Sequence, residues 1–144
     1  MREASWKDCL EKNSSMRISP DIERAKSLIE TSEERISIVG EIDERNANFI
    51  FEDYYSSLLE ILHALVLLNG YKVTNHICLG YYLRDILKRE DLFIIFDDLR
   101  YKRNSLTYYG RRMDFGTAME SIEKSKMLIR EVKKFVDIAL RRKS

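Results

Sequence analysis

The sequence has few of the residues that break regular structure, with one proline and five glycines in 144 residues. An all-β sandwich needs many tight turns, so this scarcity argues against that class of fold. Neither sign of charge is in excess, because 25 lysines and arginines are balanced by 24 acidic residues for a net charge of +1. No general attraction to nucleic acid follows from that balance, and any such contact must use a local basic patch.

Long hydrophobic runs are absent as well. The longest apolar stretch extends from Ile61 to Leu68 and is interrupted by His63, whereas a membrane-spanning helix needs about 20 apolar residues. The first residues, MREASWKDCLEK, are charged throughout and do not have the pattern of a signal peptide. We therefore expect a cytoplasmic protein that makes no membrane contact.

Only two cysteines are present, Cys9 and Cys78, which is too few for a disulfide framework. Neither has another cysteine or a histidine at metal-ligand spacing, although His76 precedes Cys78 by two residues. In a cytoplasmic protein both thiols are expected to be reduced. The chain also contains no glycine-rich phosphate loop and no nucleophile elbow. The sequence thus predicts no metal site and no cofactor.

Apolar residues at helical spacing predict an all-α, up-and-down bundle of about five helices preceded by a short N-terminal helix. We assign residues 1–17 to an N-terminal helical extension, with Trp6 packed on the main body, and residues 18–144 to the bundle domain. The main helices are expected at about residues 20–40, 49–69, 76–88, 90–110 and 118–143. No alternation typical of a β-strand is present.

Capping residues predict where these helices begin and end. Ser19 followed by Pro20 is a typical start for the first long helix. Thr117 and Glu120 have the spacing of a capping box for the last helix. Gly110 is expected to end the fourth helix.

The two histidines are expected to have different environments. His63 lies in the apolar half of the second long helix, where a packed core histidine is more common than a catalytic one. His76 falls in the first turn of the third helix and is expected to be exposed.

The stretch from Leu92 to Gly110 carries the most informative pattern. Its apolar residues follow helical steps of four and three, and Arg103 stands where the next apolar residue is expected. Because a guanidinium buried without a partner is costly, Arg103 needs a partner or an open cleft. No acidic residue occurs between Leu99 and Met113. The basic and aromatic residues around Arg103 are Arg100, Tyr101, Lys102, Tyr108, Tyr109, Arg111 and Arg112.

Arg103, Asn104 and Tyr108, within the string RNSLTYYG, resemble the motif of the HEPN superfamily. Those domains are helical bundles in which the fourth long helix carries an arginine, a polar residue that is often asparagine, and then a histidine. Tyr108 occupies the histidine position here, and RN-x3-YYG resembles a branch of the superfamily with this replacement. The segment FEDYYSSLLEILHALVLLNGYK also resembles the second helix of such domains, so the resemblance covers roughly residues 19–140.

The resemblance implies a role in RNA or nucleotide biology. Many HEPN domains are metal-independent ribonucleases, often toxins paired with a minimal nucleotidyltransferase, and they act as dimers whose two motifs lie opposite each other. It implies catalytic roles for Arg103, Asn104 and Tyr108. The residues expected to bind nucleic acid or nucleotide are Arg100, Lys102, Arg103, Tyr109, Arg111 and Arg112.

A homodimer is also favoured by helix geometry. Residues 103 and 108 are five apart, about 140° around an ideal helix, and so do not share a face. Two chains could bring Arg103 and Tyr108 together at one composite site.

Three functional hypotheses remain open. An unperturbed tyrosine titrates near ~10 and is a poor general base at neutral pH, so the first hypothesis is a catalytically silent binder of RNA or nucleotide. The second is an active ribonuclease with an altered motif. The third is an interaction bundle in which Arg103 and Asn104 are structural. Tyr109 could in addition accept a modification from a partner nucleotidyltransferase, although the usual acceptor position, two past the motif histidine, is Gly110.

Overall fold

The computed structural model describes residues 2–143, and most of that range is helical. This confirms the all-α class expected from the apolar periodicity. The elements, in chain order, are α1 (Trp6–Glu11), β1 (Ser15–Arg17), α2 (Ile22–Ser37), α3 (Ala47–Leu68), β2 (Tyr71–Val73), α4 (His76–Tyr81), a π-helical segment (Tyr82–Ile86), α5 (Glu90–Tyr109) and α6 (Phe115–Lys143). Within residues 2–143, no helix is both long and apolar enough to cross a membrane.

Helix α3 is the most buried helix and forms the centre of the bundle. Its second half is apolar on nearly every side, and buried residues occur along its whole length. Helices α2 and α6 pack along it, and α5 contacts it over a shorter stretch. Tyr55 of α3 stacks on Phe96 of α5, with the ring centroids 6.2 Å apart. The surfaces open to a ligand therefore belong mainly to the outer helices.

The first long helix begins later than predicted. Helix α2 starts at Ile22, after Asp21, whose carboxylate accepts a hydrogen bond of 3.1 Å from the Arg24 amide. The predicted start at Ser19 and Pro20 is wrong, because an aspartate closer to the apolar stripe provides the cap.

The last helix begins earlier than predicted, at Phe115. Asp114 caps it, since its carboxylate accepts hydrogen bonds from the Thr117 amide at 2.8 Å and from the Thr117 hydroxyl at 3.1 Å. Thr117 therefore lies inside the helix, and the predicted capping box with Glu120 is wrong. A carboxylate in this place also complements the positive end of the helix dipole.

The predicted third helix starts as an α-helix and continues as a π-helical segment. Helix α4 begins after Asn75, whose side chain accepts a hydrogen bond from the Ile77 amide. The chain then forms a π-helical segment, and Lys88 has a φ of 58° just before α5 starts. The helix predicted at about residues 76–88 is thus present from His76 to Ile86, and the chain turns after it to enter α5.

The close crossing of α4 and α5 depends on Gly80. A Cβ atom built at this position would lie 2.9 Å from a ring carbon of Phe96 and 3.0 Å from one of Phe93. Any larger side chain would push the two helices apart, so glycine sets their separation.

Two short strands were not predicted. Strands β1 and β2 pair in antiparallel fashion, with Ser15 opposite Val73 and Arg17 opposite Tyr71. Each strand has three residues, which is too short to show the alternation that marks a strand in sequence. The pairing joins the N-terminal extension to the connection between α3 and α4.

Helix α1 packs on its own chain through Trp6, as predicted. Trp6 is 4% exposed. Its ring centroid lies 5.2 Å from that of Tyr71 and 5.1 Å from that of Tyr82. The Trp6 amide donates a hydrogen bond of 2.8 Å to the Asp85 carboxylate. The extension is thus anchored to the bundle at both its aromatic ring and its backbone.

The two cysteines are bonded to each other. Cys9 of α1 and Cys78 of α4 form a disulfide with their Cα atoms 6.1 Å apart, and both residues are fully buried. The expectation of two reduced thiols is wrong, because a sequence separation of 69 residues gives no sign that α1 docks beside α4. Since disulfides persist mainly in oxidising environments, the cysteines no longer support the expectation of a cytoplasmic location.

Candidate functional site

Helix α5 carries the motif residues on the continuation of its buried side. Leu92, Phe96 and Leu99 are buried, and Arg103 follows at the next helical step. The helix leaves the core at this point, and Arg103 is only partly buried. The guanidinium carbon of Arg103 lies 5.8 Å from the ring centroid of Tyr55 in α3. The cation therefore rests on an aromatic ring at the edge of the core.

Arg103 differs from its basic neighbours in its partners. Arg100 forms an ion pair with Asp97 at 2.9 Å, and Lys102 forms one with Asp98 at 2.8 Å. Arg103 donates only a long hydrogen bond, 3.4 Å, to the side-chain oxygen of Asn104. Among residues 2–143, no carboxylate is close enough to form an ion pair with Arg103. Its positive charge is thus available to an anionic ligand.

Tyr108 meets Arg103 within a single chain. The guanidinium carbon lies 5.9 Å from the Tyr108 ring centroid. A second chain is therefore not needed to bring these two side chains together, and the homodimer stays a prediction.

A groove lies between the start of α4 and the second half of α5, and we name it the motif groove. Its volume is about 360 Å³. The residues that line it are Thr74, Asn75, His76, Arg100, Arg103, Asn104 and Tyr108. Three hydrogen-bonding side chains of one wall thus lie opposite two guanidinium groups of the other.

His76 lies in the motif groove and is partly buried, so the expectation that it is exposed is wrong. Its ring centroid is 5.9 Å from that of His63 in α3. Burial, and then the positive charges of Arg103 and Arg100, lower the pKa of His76 from its ordinary value. His76 is therefore neutral at neutral pH, and a ring nitrogen can accept a proton or a hydrogen bond.

A second groove of about 540 Å³ continues from the first, and we name it the tyrosine groove. It shares Asn75, Arg100 and Asn104 with the motif groove. The residues that line it alone are Arg2, Glu3, Ile77, Tyr81, Phe93, Asp97, Tyr101, Ser105 and Tyr109. The two grooves form a continuous path along α5 with Arg100 between them.

The other predicted binding residues lie outside the motif groove. Lys102 is held by Asp98 and lines neither groove. Arg111 lies over the ring of Tyr109 at 5.8 Å, and Arg112 over that of Phe49 at 5.5 Å. Both arginines are exposed just beyond the C-terminal end of α5. The motif groove therefore brings together four of the predicted residues, Arg100, Arg103, Asn104 and Tyr108. Lys102, Arg111 and Arg112 lie outside both grooves.

Exposed tyrosines surround this basic region. Tyr101, Tyr108 and Tyr109 are 65%, 69% and 73% exposed. Large aromatic side chains are normally buried, so three exposed rings on two turns of one helix form a surface suited to stacking. Within residues 2–143, no group of three or more histidine, cysteine or acidic side chains is arranged to hold a metal ion.

Comparison with known proteins adds no assignment. The chain matches no protein-family model, and neither the curated proteins nor the solved structures include one of significant similarity.

Sequence reasoning missed two contributors to the site. Nothing near His76 in the sequence indicates that this end of α4 lies beside Arg103. No pattern in the sequence marks Asp97 as part of a binding groove. The crossing of α4 and α5 places His76 in the motif groove and Asp97 in the tyrosine groove.

Proposed function

We propose that this protein is a HEPN-like helical bundle that binds single-stranded RNA along the two grooves of α5. The observation that carries the proposal is Arg103, a partly buried guanidinium in an open groove that has no carboxylate partner among residues 2–143. A cation of this kind attracts phosphate, whereas Arg100 in the same groove is paired with Asp97. The exposed tyrosines supply stacking surfaces for bases, which is how proteins bind unpaired strands.

The test measures the affinity of a short fluorescein-labelled single-stranded RNA by fluorescence anisotropy over a range of salt. Arg103→Ala is expected to weaken binding about tenfold or more, because a hydrogen bond to a charged group contributes about 1.5–3 kcal/mol. It should also reduce the slope of log affinity against log salt by about 0.7, the value for one phosphate contact of a single strand.

Arg130→Ala is the matched control, because Arg130 is exposed on α6 and lines neither groove. Its binding should equal that of the wild type. If Arg103→Ala keeps full affinity and the helical circular dichroism spectrum, the motif groove is not the phosphate site. If it instead dissociates a dimer and leaves RNA affinity unchanged, Arg103 is structural.

A homodimer and a minimal nucleotidyltransferase partner belong to the same proposal, on the strength of the HEPN resemblance. Tyr109, 73% exposed, is accessible to such a partner. Light scattering at micromolar concentration tests the dimer, and a purely monomeric species would refute it. Mass spectrometry after incubation with the partner and ATP tests modification of Tyr109.

RNA cleavage is a second candidate function, and the position of His76 favours it. A neutral histidine in the motif groove can take the proton of a ribose 2′-hydroxyl while Arg103 stabilises the charge that develops on the phosphate. The 2′-oxygen then bonds to phosphorus, and the 5′-oxygen leaves with a proton from water. His76 would thus provide the base that the motif lacks at Tyr108.

Cleavage is tested with labelled RNA in the presence of EDTA. His76→Gln should lower the rate about 10²–10⁴-fold, the usual effect of removing a general base, while RNA affinity is retained. If cleavage is lost in Tyr108→Phe and kept in His76→Gln, the tyrosine is the base. If the wild type cleaves nothing, the protein is a binder only.

A further inference from the structure

We propose that the tyrosine groove is a nucleobase subsite that prefers guanine, and that Asp97 determines this preference. The inference rests on the proposed RNA binding and names which part of the RNA enters the second groove. It follows from the charges, the aromatic side chains and the unused hydrogen-bond acceptor of that groove.

The charges that line the tyrosine groove balance each other, so they give it no net attraction for phosphate. Asp97 and Glu3 both line this groove, and neither lines the motif groove. The hydrogen bond from the Ser14 hydroxyl is the largest of several that lower the pKa of Glu3. The Glu3 carboxylate is therefore ionised at neutral pH. Arg2 and Arg100 line the groove as well, and Arg100 is paired with Asp97. Phosphate is therefore expected beside Arg103, which has no carboxylate partner within residues 2–143, and the base of the strand in the tyrosine groove.

Aromatic side chains give the base a surface to stack on. Tyr81 and Phe93 stack on each other with centroids 5.5 Å apart and planes inclined by 26°, and the Arg84 guanidinium lies over both rings. Tyr101 and Tyr109 also line the groove and are largely exposed, so these two rings are open to a base. Base stacking on aromatic rings stabilises the binding of unpaired strands and is tolerant of sequence. A volume of about 540 Å³ is within the range of small-ligand pockets.

Of the two carboxylates, Asp97 has an acceptor to spare. Both oxygens of Glu3 are used, because they accept hydrogen bonds from Ser14 at 2.7 Å and from Asn75 at 3.0 Å. Asp97 accepts from Arg100 through Oδ1 alone, at 2.9 and 3.2 Å. Within residues 2–143, its Oδ2 atom accepts no hydrogen bond. Arg100 holds the carboxylate in place, which favours a directed contact with a ligand.

Guanine is the base that matches a carboxylate. Its N1–H and N2 amino groups are adjacent donors, and both can approach the Oδ2 atom of Asp97. Adenine and cytosine place a ring-nitrogen acceptor beside their amino group, and uracil places carbonyl oxygens on both sides of its single N–H. Each of these three bases would therefore put an acceptor against Asp97, which is unfavourable.

The test compares four short uridine-rich RNAs that differ only in a central guanosine, adenosine, cytidine or uridine, again by fluorescence anisotropy. The wild type should bind the guanosine RNA at least about tenfold more tightly than the others, since a pair of hydrogen bonds to one base discriminates by about 1–3 kcal/mol. Asp97→Asn should abolish this preference. It should also strengthen binding of the all-uridine RNA, because Arg100 is released from its ion pair to contact phosphate.

Asp98→Asn is a closely matched control. It makes the same change of charge one residue along the same helix, and the Asp98 side chain is as exposed as that of Asp97, 45% in each case. Asp98 is paired with Lys102 and lines neither groove. This variant should keep the guanine preference of the wild type.

The outcomes separate the inference from the proposed function. Equal affinity for all four RNAs overturns the guanine subsite and leaves RNA binding intact, whereas no binding of any RNA overturns the proposed function itself. If Asp97→Asn changes all four affinities by the same factor, Asp97 only positions Arg100, and the inference fails. It also fails if the preference survives in Asp97→Asn. Asp97→Glu, which keeps the carboxylate, should retain the preference in part.

Discussion

Replacing both cysteines with alanine is expected to lower the free energy of unfolding by about 4 kcal/mol. The disulfide joins residues 69 positions apart and so closes a loop that contains α2 and α3. For a loop of that length, the loss of chain entropy in the unfolded state amounts to roughly 4 kcal/mol at 25 °C. For a chain of this size, the corresponding fall in Tm is about 10–15 °C.

The native structure is expected to survive the loss of the bond. Trp6 remains buried against two tyrosine rings, and its amide remains bonded to Asp85. The paired strands β1 and β2 hold the following residues in place. The destabilisation should therefore come mainly from the greater freedom of the unfolded chain and leave α1 docked.

Urea unfolding followed by tryptophan fluorescence measures both effects. Trp6 is the one tryptophan in the sequence and is 4% exposed, so its emission reports whether α1 is docked. A reducing agent should shift the wild-type midpoint to that of Cys9→Ala/Cys78→Ala and have no effect on the double variant. A difference in unfolding free energy below about 1 kcal/mol would refute the loop-entropy reasoning. A red-shifted emission of the variant without urea would show instead that the bond holds α1 in place.

Three further predictions concern stability. Burial first, then the charges of His76 and Arg24, lower the pKa of His63 to about 4. As the pH falls, the histidine of the unfolded chain is protonated before His63 of the folded chain. The free energy of unfolding should therefore fall by up to about 3 kcal/mol between about pH 6.5 and pH 4. Urea titrations of His63→Leu should show a smaller loss of stability over the same pH range. Asn48→Ala should cost about 2 kcal/mol by thermal unfolding, because its amide exchanges hydrogen bonds of 3.0 and 2.9 Å with the Met113 backbone. Gly110→Ala should cost about 1 kcal/mol by the same measurement, since φ is +63° and no atom lies within 4 Å to clash; an unchanged Tm would contradict either estimate.

The fold was predictable because its signals are local. The apolar run of α3 and the steps of Leu92, Phe96 and Leu99 in α5 depend only on helical periodicity, which neighbouring residues in the sequence determine. The stop at Gly110 is equally local and is confirmed, since this residue takes the left-handed conformation that favours glycine. The predicted starts of α2 and α6 were less accurate. Several residues that can cap a helix lie close together there, and the packing of the helix determines which of them is used.

The missed features all depend on contacts between distant residues. The disulfide, the strand pair and the approach of His76 to Arg103 each join segments brought together by the crossing of α4 and α5 or by the docking of α1. None leaves a pattern in a short window of sequence. The irregular position of Arg103 was the one local sign of the grooves, because an arginine in an apolar series required an opening at that point.

The width of the grooves depends on the size of the side chain at position 80. Gly80 lies in α4 one turn after His76, and its missing side chain lets α4 approach Phe93 and Phe96 of α5. Because Gly80 itself lines neither groove, the distance between His76 and Arg103 can change without replacing any residue that lines the grooves. Ligand size and ligand chemistry could therefore vary independently in this bundle, the first through the packing beneath the grooves and the second through the side chains that line them.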